Sequence, residues 1–330
     1  MAHIPVLLEE VINVLAPEDS EVYLDGTFGG GGYAEAVLKA ADCTLLGVDR
    51  DLDAIARAES LAEAMPGLIP LLGRFGDLDV LAMEAGFPVV DGIVLDLGVS
   101  SFQLDEAERG FSFQKDGPLD MRMGQSGPNA ADVVNGLPER DLANLIYRLG
   151  DERASRRMAQ AIAERRSEAP FLTTLDLADC LSRAVGGRKG ARTHPATKAF
   201  QAIRIYVNDE LGELARALAA AERVLRAGGR LVVVTFHSLE DRMVKHFFRE
   251  RVGGVGAGSR HVPGVSQKVP SSFELVTRKA IEPSEAECAT NPRARSSRLR
   301  AARRTDAPAW GDVPAAAFDL PPLSDLERAP

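Results

Sequence analysis

Three aspartates, Asp25, Asp49 and Asp96, each stand at the end of a short apolar run of the kind that forms a buried strand. Carboxylates in such positions can accept hydrogen bonds from the hydroxyl or amino groups of a ligand. In open α/β sheets, ligands bind outside the carboxyl ends of the strands. The pattern therefore predicts a binding or catalytic site at one edge of a sheet, built from acidic groups on several strands.

A loop of four consecutive glycines, Gly29–Gly32, separates Asp25 from a predicted helix that begins near Ala34. Strand, glycine loop and helix in this order bring main-chain N–H groups and a helix N-terminus up to a ligand. Glycines have no Cβ to block that approach and tolerate positive φ. The alternative is a flexible turn without a ligand. A P-loop is excluded, because no Gly-Lys-Ser/Thr follows the glycines.

The position of Asp49, 24 residues past Asp25, is the one from which nucleotide-binding sheets hydrogen-bond both ribose hydroxyls of an adenosine. A helix N-cap is an alternative role for Asp49, and the two roles are compatible. Gly29, Gly31 and Ala34 also satisfy the loose dinucleotide-binding fingerprint, so a nicotinamide-dependent dehydrogenase remains open.

Two features favour S-adenosylmethionine over a dinucleotide. A carboxylate at Asp25, just before the glycine loop, would crowd a pyrophosphate but suits a ligand that bears an ammonium group. The passage from Leu225 to Leu231 also leads from a helix into a late strand, as in many methyltransferases. The residues thus favour a methyltransferase.

Two further residues, and Asp96 itself, are candidates for chemistry at the same edge. Phe75, after the third apolar run, could pack on an adenine, although a lone Phe is more often part of the core. Asp96, or a main-chain carbonyl of residues 96–98, could accept an N–H bond from a poorly nucleophilic amine and raise its electron density. His237, at the end of the fifth predicted strand, could face the same crevice or serve as a capping residue.

The elements that must position these residues alternate between strands and helices, which predicts an α/β fold with a doubly wound, mostly parallel sheet. The alternation stops near Asp105, helical periodicity takes over, and the alternating pattern returns at Glu210. We therefore predict a discontinuous cofactor-binding domain, 1–104 and 210–305, split by a helical insertion, 105–209. The acidic, Pro/Ala-rich tail 306–330 is expected to be disordered.

Composition and charge restrict the classes further. The apolar runs are too short to span a bilayer, no signal peptide is recognisable, and three distant cysteines argue for a reducing compartment without a disulfide or metal framework. These features predict a cytoplasmic protein. Residues 1–104 hold 4 Lys and Arg against 18 Asp and Glu, whereas 211–305 hold 18 against 9. This polarity fits a polyanionic partner on one side.

The chain resembles the bacterial family of 16S rRNA cytosine-N4 methyltransferases, over residues 3 to about 304. The motifs that carry the resemblance follow in order along the chain: His3–Leu7, Asp25–Gly29, Asp49–Asp51, Asp96–Asp105, Gly110–Phe113, Gly117–Met123, Thr193–Thr197, Phe236–Arg242 and Asn291–Ser296.

This resemblance implies methyl transfer from S-adenosylmethionine to the exocyclic amine of a cytidine in the decoding region of the small ribosomal subunit. By the family pattern, the cofactor contacts fall on Gly31, Gly32, Tyr33, Asp49, Phe75, Asp96 and Gln103. To these the residue-based reasoning adds Asp25, and it names Asp96 and His237 as the catalytic candidates, with no metal. The family usually has His where this chain has Tyr33. The change is harmless if that position contributes only its main chain, and otherwise it affects cofactor affinity.

An rRNA cytidine would have to be splayed or flipped into the site. Two groups of basic residues are candidates for the phosphate contacts that this requires. They are the insertion-loop residues Arg109, Arg122, Arg188, Lys189 and Arg192, and the basic run 293–304. A non-catalytic RNA-binding module that keeps the same fold is a further alternative.

Overall fold

The structure, a computed structural model, describes residues 5–124, 126–187, 193–253 and 269–313. The chain forms two compact units. The first comprises the residues up to Gly98 and resumes at Leu211, and the second is Val99–Glu210. We call them the sheet unit and the helical unit. Among the described residues, no helix is both long and apolar enough to cross a membrane.

The sheet unit contains a seven-stranded sheet in the order β3-β2-β1-β4-β5-β7-β6. Strands β1 to β5 pair in parallel, and β7 pairs antiparallel with both β5 and β6. The α/β, mostly parallel fold predicted from the sequence is therefore confirmed. The strands are β1 Val22–Asp25, β2 Thr44–Asp49, β3 Leu68–Leu72, β4 Val90–Asp96, β5 Leu225–Thr235, β6 Phe273–Leu275 and β7 Arg298–Arg304.

Helices cover both faces of this sheet. Those of the sheet unit are α1 Leu8–Leu15, α2 Gly32–Ala40, α3 Leu52–Ala64, α4 Leu78–Glu84, α11 Glu210–Val224, α12 Ser238–Gly253 and α13 Glu285–Thr290. Adjacent residues of one strand point to opposite faces. Leu24 accordingly packs in a core with α4, α11 and α12, and Tyr23 packs in another with α1 and α2. The strands are thus buried on both sides, which explains their continuous apolar runs.

The helical unit holds α5 Ser101–Asp105, α6 Ala130–Gly136, α7 Glu139–Gly150, α8 Ser155–Arg166, α9 Thr174–Ala184 and α10 Thr197–Val207. Helix α7 packs against α8 and α10 through Leu142, Leu145 and Ile146, which recur at helical spacing and are fully buried. Thr173 caps α9, because its side chain accepts the main-chain N–H of Asp176.

The basic run 293–304 differs from the sequence expectation, because its second half is strand β7. Arginines interrupt the apolar pattern that would indicate a strand there. Strand β7 nevertheless lies between β5 and β6, and its residues Leu299, Ala301 and Ala302 are fully buried. Strand β5 begins at Leu225, within the passage expected to lead from a helix into a strand, and its pairing register shifts between Val90 and Gly92 of β4.

The expectation of a disordered tail from Asp306 does not hold for its first residues. The Trp310 indole N–H donates to the Pro270 carbonyl oxygen at 2.9 Å, and the Arg251 guanidinium lies 5.1 Å from the Trp310 ring centroid. An aromatic ring gives this short segment something to pack with. Residues 314–330, and the insertion-loop residues 188–192, lie outside the described residues.

Candidate functional site

The glycine loop connects β1 to α2 and is tied to the neighbouring strands on both sides. Gly26 donates its main-chain N–H to the Val94 carbonyl of β4, and Phe28 donates to the Val48 carbonyl of β2, both at 3.0 Å. Gly29 and Gly31 have φ of 52° and 78°, in the left-handed region where residues other than glycine are strained. The loop is therefore held in one conformation at the carboxyl edge of the sheet.

Two of the glycines are also required by the packing of the chain itself. A Cβ on Gly31 would lie 2.7 Å from the Phe28 ring, and a Cβ on Gly32 would lie 2.2 Å from Pro5. From the sequence, these glycines are expected only because they let a ligand approach the main chain. The contacts with Phe28 and Pro5 are a second reason for glycine there, and one that is independent of any ligand.

Asp25 ends β1 and is almost completely buried, with 1% of its surface exposed. Its Oδ1 accepts the main-chain N–H of Thr27 at 3.0 Å, whereas no hydrogen-bond partner among the described residues reaches its buried Oδ2. Burial, assisted by the nearby Asp49 charge, raises the pKa of Asp25 to about 7. An unsatisfied buried carboxylate oxygen is costly, and a cationic donor would satisfy it.

Asp96 ends β4 beside Asp25, and Thr27 links the two. The Thr27 Oγ1 accepts the main-chain N–H of Asp96 at 2.6 Å and lies 3.4 Å from Asp25 Oδ1. Asp96 Oδ1 is buried and has no hydrogen-bond partner among the described residues. Burial, followed by the charges of Asp25 and Glu240, raises the pKa of Asp96 well above its ordinary value. The strand ends thus place two acceptor oxygens in a position to receive donors from a ligand.

Asp49 ends β2 and connects it to the glycine loop. Its Oδ2 accepts the Gly29 main-chain N–H at 2.8 Å, and its Oδ1 accepts the Asp51 N–H at 2.9 Å. The N-cap of α3 is Asp51, whose side chain accepts the N–H of Asp53. The capping role considered for Asp49 therefore belongs to Asp51. Each carboxylate oxygen has a second lone pair. Asp49 can therefore hold the loop and still accept hydroxyl donors.

Phe75 lies in the 3-10 helix Phe75–Asp77 that follows β3, half-buried against the core on the α4 side. Glu213 of α11, 1% exposed, holds the turn on both sides of Phe75. Its Oε1 accepts from the Arg74 guanidinium at 2.7 Å, and its Oε2 accepts the Gly76 main-chain N–H at 3.0 Å. The sequence reasoning missed Glu213. A signal was present, because Glu213 is in phase with the small apolar residues Ala217 and Ala220 of the same helix.

His237 is the residue before α12, and its side chain forms a reciprocal cap with Glu240. The Glu240 Oε2 accepts the main-chain N–H groups of Phe236 and His237 at 2.8 and 3.1 Å, and His237 Nδ1 accepts the Glu240 N–H at 3.4 Å. The His237 Nε2 also lies 3.0 Å from Glu240 Oε1. This geometry fits the capping alternative, and a catalytic role for His237 stays a prediction.

Tyr33, on the first turn of α2, turns its side chain away into the core, where it is 4% exposed. Its hydroxyl donates to the Val6 carbonyl oxygen, and the next residue, Leu7, donates its N–H to Glu287 Oε1 at 2.7 Å. Burial, followed by the Asp96 and Asp25 charges, raises the pKa of Tyr33 well above its ordinary value. The Tyr33 hydroxyl is thus engaged within the fold, and a contact of Tyr33 with the cofactor stays a prediction.

Gln103 belongs to the helical unit, in α5. It forms a capping box with Ser100: its side-chain Oε1 accepts the Ser100 N–H at 3.1 Å, and its own N–H donates to Ser100 Oγ at 3.2 Å. The side chain is buried. Its role as a cofactor contact stays a prediction.

Most of the described arginines proposed as phosphate contacts are engaged within the protein. Arg300 and Arg298 pair with Asp241, Arg303 pairs with Glu274, and Arg304 is buried and donates to main-chain carbonyls. In the helical unit, Arg122 pairs with Asp120, and Arg109 donates to the carbonyl groups of residues 122 and 123. These residues contribute to the fold, and their role as phosphate contacts stays a prediction.

The topology defines the class of the protein. A seven-stranded sheet with the central glycine loop after β1, an acidic residue at the end of β2 and one reversed strand between β5 and β6 is the class I methyltransferase fold. A family model described as the MraW methylase family matches residues 1–305, and the chain belongs to this family.

Curated relatives match the sequence of this chain along almost its whole length. The chain is 64% identical, over 99% of its length and 96% of the relative's, to a protein of Hyphomonas neptunium named ribosomal RNA small subunit methyltransferase H. It is 58% identical to the protein of that name from Caulobacter vibrioides, over 93% of this chain and 97% of the relative. Among solved structures, an rRNA methylase from Streptococcus thermophilus aligns with a TM-score of 0.41 and 10% identity, covering 92% of this chain and all of the other.

Proposed function

We propose that this protein transfers a methyl group from S-adenosylmethionine to the exocyclic N4 amine of a cytidine in the decoding region of 16S rRNA. The observation that carries the proposal is the pair of unsatisfied buried carboxylate oxygens, Asp25 Oδ2 and Asp96 Oδ1, at the ends of β1 and β4. The names of the curated relatives, which act on small-subunit rRNA, support the choice of substrate. The base and the atom on it come from the family resemblance.

The residues at the sheet edge fit S-adenosylmethionine in charge and in kind. Asp25 Oδ2 would accept from the ammonium group, and Asp49 would accept the ribose hydroxyls with its remaining lone pairs. The main-chain groups of Gly31, Gly32 and Tyr33 would line the loop, and Phe75 would pack on the adenine. Gln103 is the remaining residue that we propose to contact the cofactor. When bound, the cofactor supplies an electrophilic methyl group on a sulfonium.

Asp96 is the residue proposed to activate the amine. The lone pair of a cytosine amine is delocalised into the ring, so an acceptor that takes one of its N–H bonds raises the electron density on nitrogen. Asp96 Oδ1 has free acceptor capacity for that bond and, because its pKa is raised, can take the proton that leaves nitrogen as the new N–C bond forms. A cationic ligand nearby favours the ionised form of Asp96, which is the form that accepts.

His237 is the second catalytic candidate, and its proposed role is weaker. Its imidazole and Glu240 cap α12 beside the end of β5, two strands from Asp25 in the sheet. A group fixed in this way would orient the neighbouring main chain rather than move a proton. We therefore assign proton transfer to Asp96 and keep His237 as a positioning candidate.

The proposal assigns a separate function to each segment that the sequence analysis distinguishes. Residues 1–104 and 210–305 would bind the cofactor, and the insertion 105–209 would contribute to recognition of the rRNA within the small subunit. The reaction would take place in the cytoplasm, where ribosomal subunits are assembled, and without a metal.

Two measurements test this function. S-adenosylmethionine should raise the melting temperature of the protein and NAD should not, because a ligand that binds only the folded state stabilises it. The protein should also transfer labelled methyl groups to small subunits from cells that lack it, and Asp96→Ala should abolish the transfer. Stabilisation by NAD alone would instead favour a dehydrogenase, and absence of transfer by the wild-type protein would favour a non-catalytic RNA-binding module.

A further inference from the structure

Helix α12 presents three basic side chains on one exposed face. Arg242, Lys245 and Arg249 follow one another at intervals of three and four residues, which places them along one side of a helix. All three are exposed. At 1.5 Å per residue, they extend over about 10 Å of the helix axis. We call these three residues the α12 stripe.

The α12 stripe is fixed by packing on the opposite face of the helix. Val244, Phe247 and Phe248 are buried in the core between α12 and the sheet, and the Phe247 ring packs edge-on against Phe273 of β6. The helix therefore cannot rotate to withdraw its basic face without exposing these rings. The stripe is a rigid feature of the sheet unit.

The cations of the stripe have no acidic partner within 4.0 Å among the described residues, although α12 itself carries three acidic residues. Glu240 is used in the cap with His237, Asp241 pairs with Arg298 and Arg300, and Glu250 faces His246 and Arg251. This contrasts with β7, where the arginines are paired or buried. Part of the positive charge of the last third of the chain thus reaches solvent at α12.

Such a surface fits a polyanion, and its position suggests which one. Helix α12 starts directly after β5 and His237, at the carboxyl edge of the sheet that carries Asp25 and Asp96. A strand of RNA whose cytidine is splayed into that edge must leave its flanking phosphates close by. Three cations spaced along a helix can each neutralise one phosphate in succession.

We propose that the α12 stripe binds the phosphate backbone of the RNA strand that flanks the target nucleotide. The proposal rests on the proposed function for the identity of the RNA, and it adds the surface that holds it. The chain as a whole carries a net charge of −9, so binding of RNA requires a localised basic surface.

The test compares two variants with the same change in charge. The first is Arg242→Gln/Lys245→Gln/Arg249→Gln. The control is Lys39→Gln/Arg223→Gln/Arg226→Gln, whose cations are also on the surface but already face Glu35, Asp79 and Glu21. The affinity for a labelled RNA spanning the decoding region of 16S rRNA is measured as a function of salt concentration, and methyl transfer to undermethylated small subunits is measured in parallel.

The stripe variant should bind the RNA roughly 10- to 50-fold more weakly at physiological salt, and the slope of log K against log salt should fall by about two. Its affinity for S-adenosylmethionine and its melting temperature should match those of the wild type, with the loss in transfer appearing in KM for the subunit. The control should bind RNA as the wild type does. Equal losses in both variants, or none in the stripe variant, would overturn the proposal.

The two proposals fail differently in this experiment. Stripe-dependent RNA binding without any methyl transfer by the wild-type protein would contradict the proposed function and leave the stripe in place. Methyl transfer with an unchanged KM for the stripe variant would contradict the stripe and leave the function in place.

Discussion

The hydroxyl of Thr27 accepts the main-chain N–H of Asp96 at 2.6 Å, and so links the turn after β1 to the end of β4. The same turn holds Asp25, whose Oδ1 accepts the Thr27 N–H. One small side chain therefore fixes the relative positions of the two carboxylates with free acceptor capacity. This link explains why a residue with a hydroxyl group stands between the strand and the glycine loop.

We expect Thr27→Val to lower methyl transfer by one to two orders of magnitude and stability by about 1–3 kcal/mol, because the buried N–H of Asp96 loses its acceptor. Thr27→Ser keeps the hydroxyl and should keep most of the activity. Chemical denaturation and initial rates at saturating cofactor give the two quantities. Wild-type activity in Thr27→Val would show that the link does not position Asp96.

The raised pKa of Asp25 predicts a stability that falls with pH. Between the ordinary carboxyl pKa of 3.8 and about 7, the folded state binds a proton that the unfolded state has released, so stability is lost as the pH rises through this range. Asp25→Asn removes the ionisation. Without cofactor, this variant should be more stable than the wild type at pH 8 by up to about 4 kcal/mol, with the difference shrinking toward pH 4.

Cofactor binding should reverse that order. A cationic ligand favours the ionised form of Asp25, so wild-type affinity for S-adenosylmethionine should rise from pH 6 to pH 8 and binding should release protons. Calorimetry in buffers of different ionisation enthalpy measures the release. Asp25→Asn should bind weakly and without pH dependence over this range, and an affinity for cofactor that does not change with pH in the wild type would contradict the role of Asp25.

The contact of Glu213 with both sides of Phe75 predicts energetic coupling between these residues. Glu213→Ala frees the turn, and should weaken binding of S-adenosylhomocysteine about tenfold if Phe75 packs on the adenine. In a Phe75→Leu background the same substitution should cost much less, because the ring it positions is gone. Glu213→Gln keeps an acceptor for Gly76 and should be intermediate. Additive losses of affinity in the double variant would show that Glu213 does not act through Phe75.

The Tyr33 hydroxyl predicts a separation of stability from binding. Tyr33→Phe leaves the buried Val6 carbonyl without its donor and should lower stability by about 1–3 kcal/mol. Cofactor affinity, measured by calorimetry, should stay within about twofold, because the Tyr33 hydroxyl is engaged within the fold. Tyr33→His restores the residue usual in the family and serves as the comparison. A tenfold loss of affinity in Tyr33→Phe would show that the side chain contributes.

The parts of the fold that could be predicted from the sequence are those with local signals. Strands β1 to β4 are continuous apolar runs because they are buried on both faces, and the glycine loop marks the end of β1. Strand β7 was missed because its exposed positions are arginines, whose partners Asp241 and Glu274 lie far away in the chain. Pairing over such distances leaves no periodicity to detect.

The site shows the same limit. Asp25, Asp49 and Asp96 could be found because each one ends a strand, and strand ends share an edge. The roles of Thr27 and Glu213 depend on partners 69 and 137 residues away, which spacing does not reveal. Most arginines of strand β7 are paired or buried, whereas the cations of α12 stand out only once the ion pairs of the surrounding residues are known.

The most direct test of the account is mass spectrometry of 16S rRNA nucleosides from cells that lack the protein and carry either the wild-type chain or Asp96→Asn. We expect the wild type to restore a cytidine methylated on N4 in the decoding region. At equal protein levels, Asp96→Asn should not restore it. Methylation on a different atom or nucleotide, or full restoration by Asp96→Asn, would contradict the account.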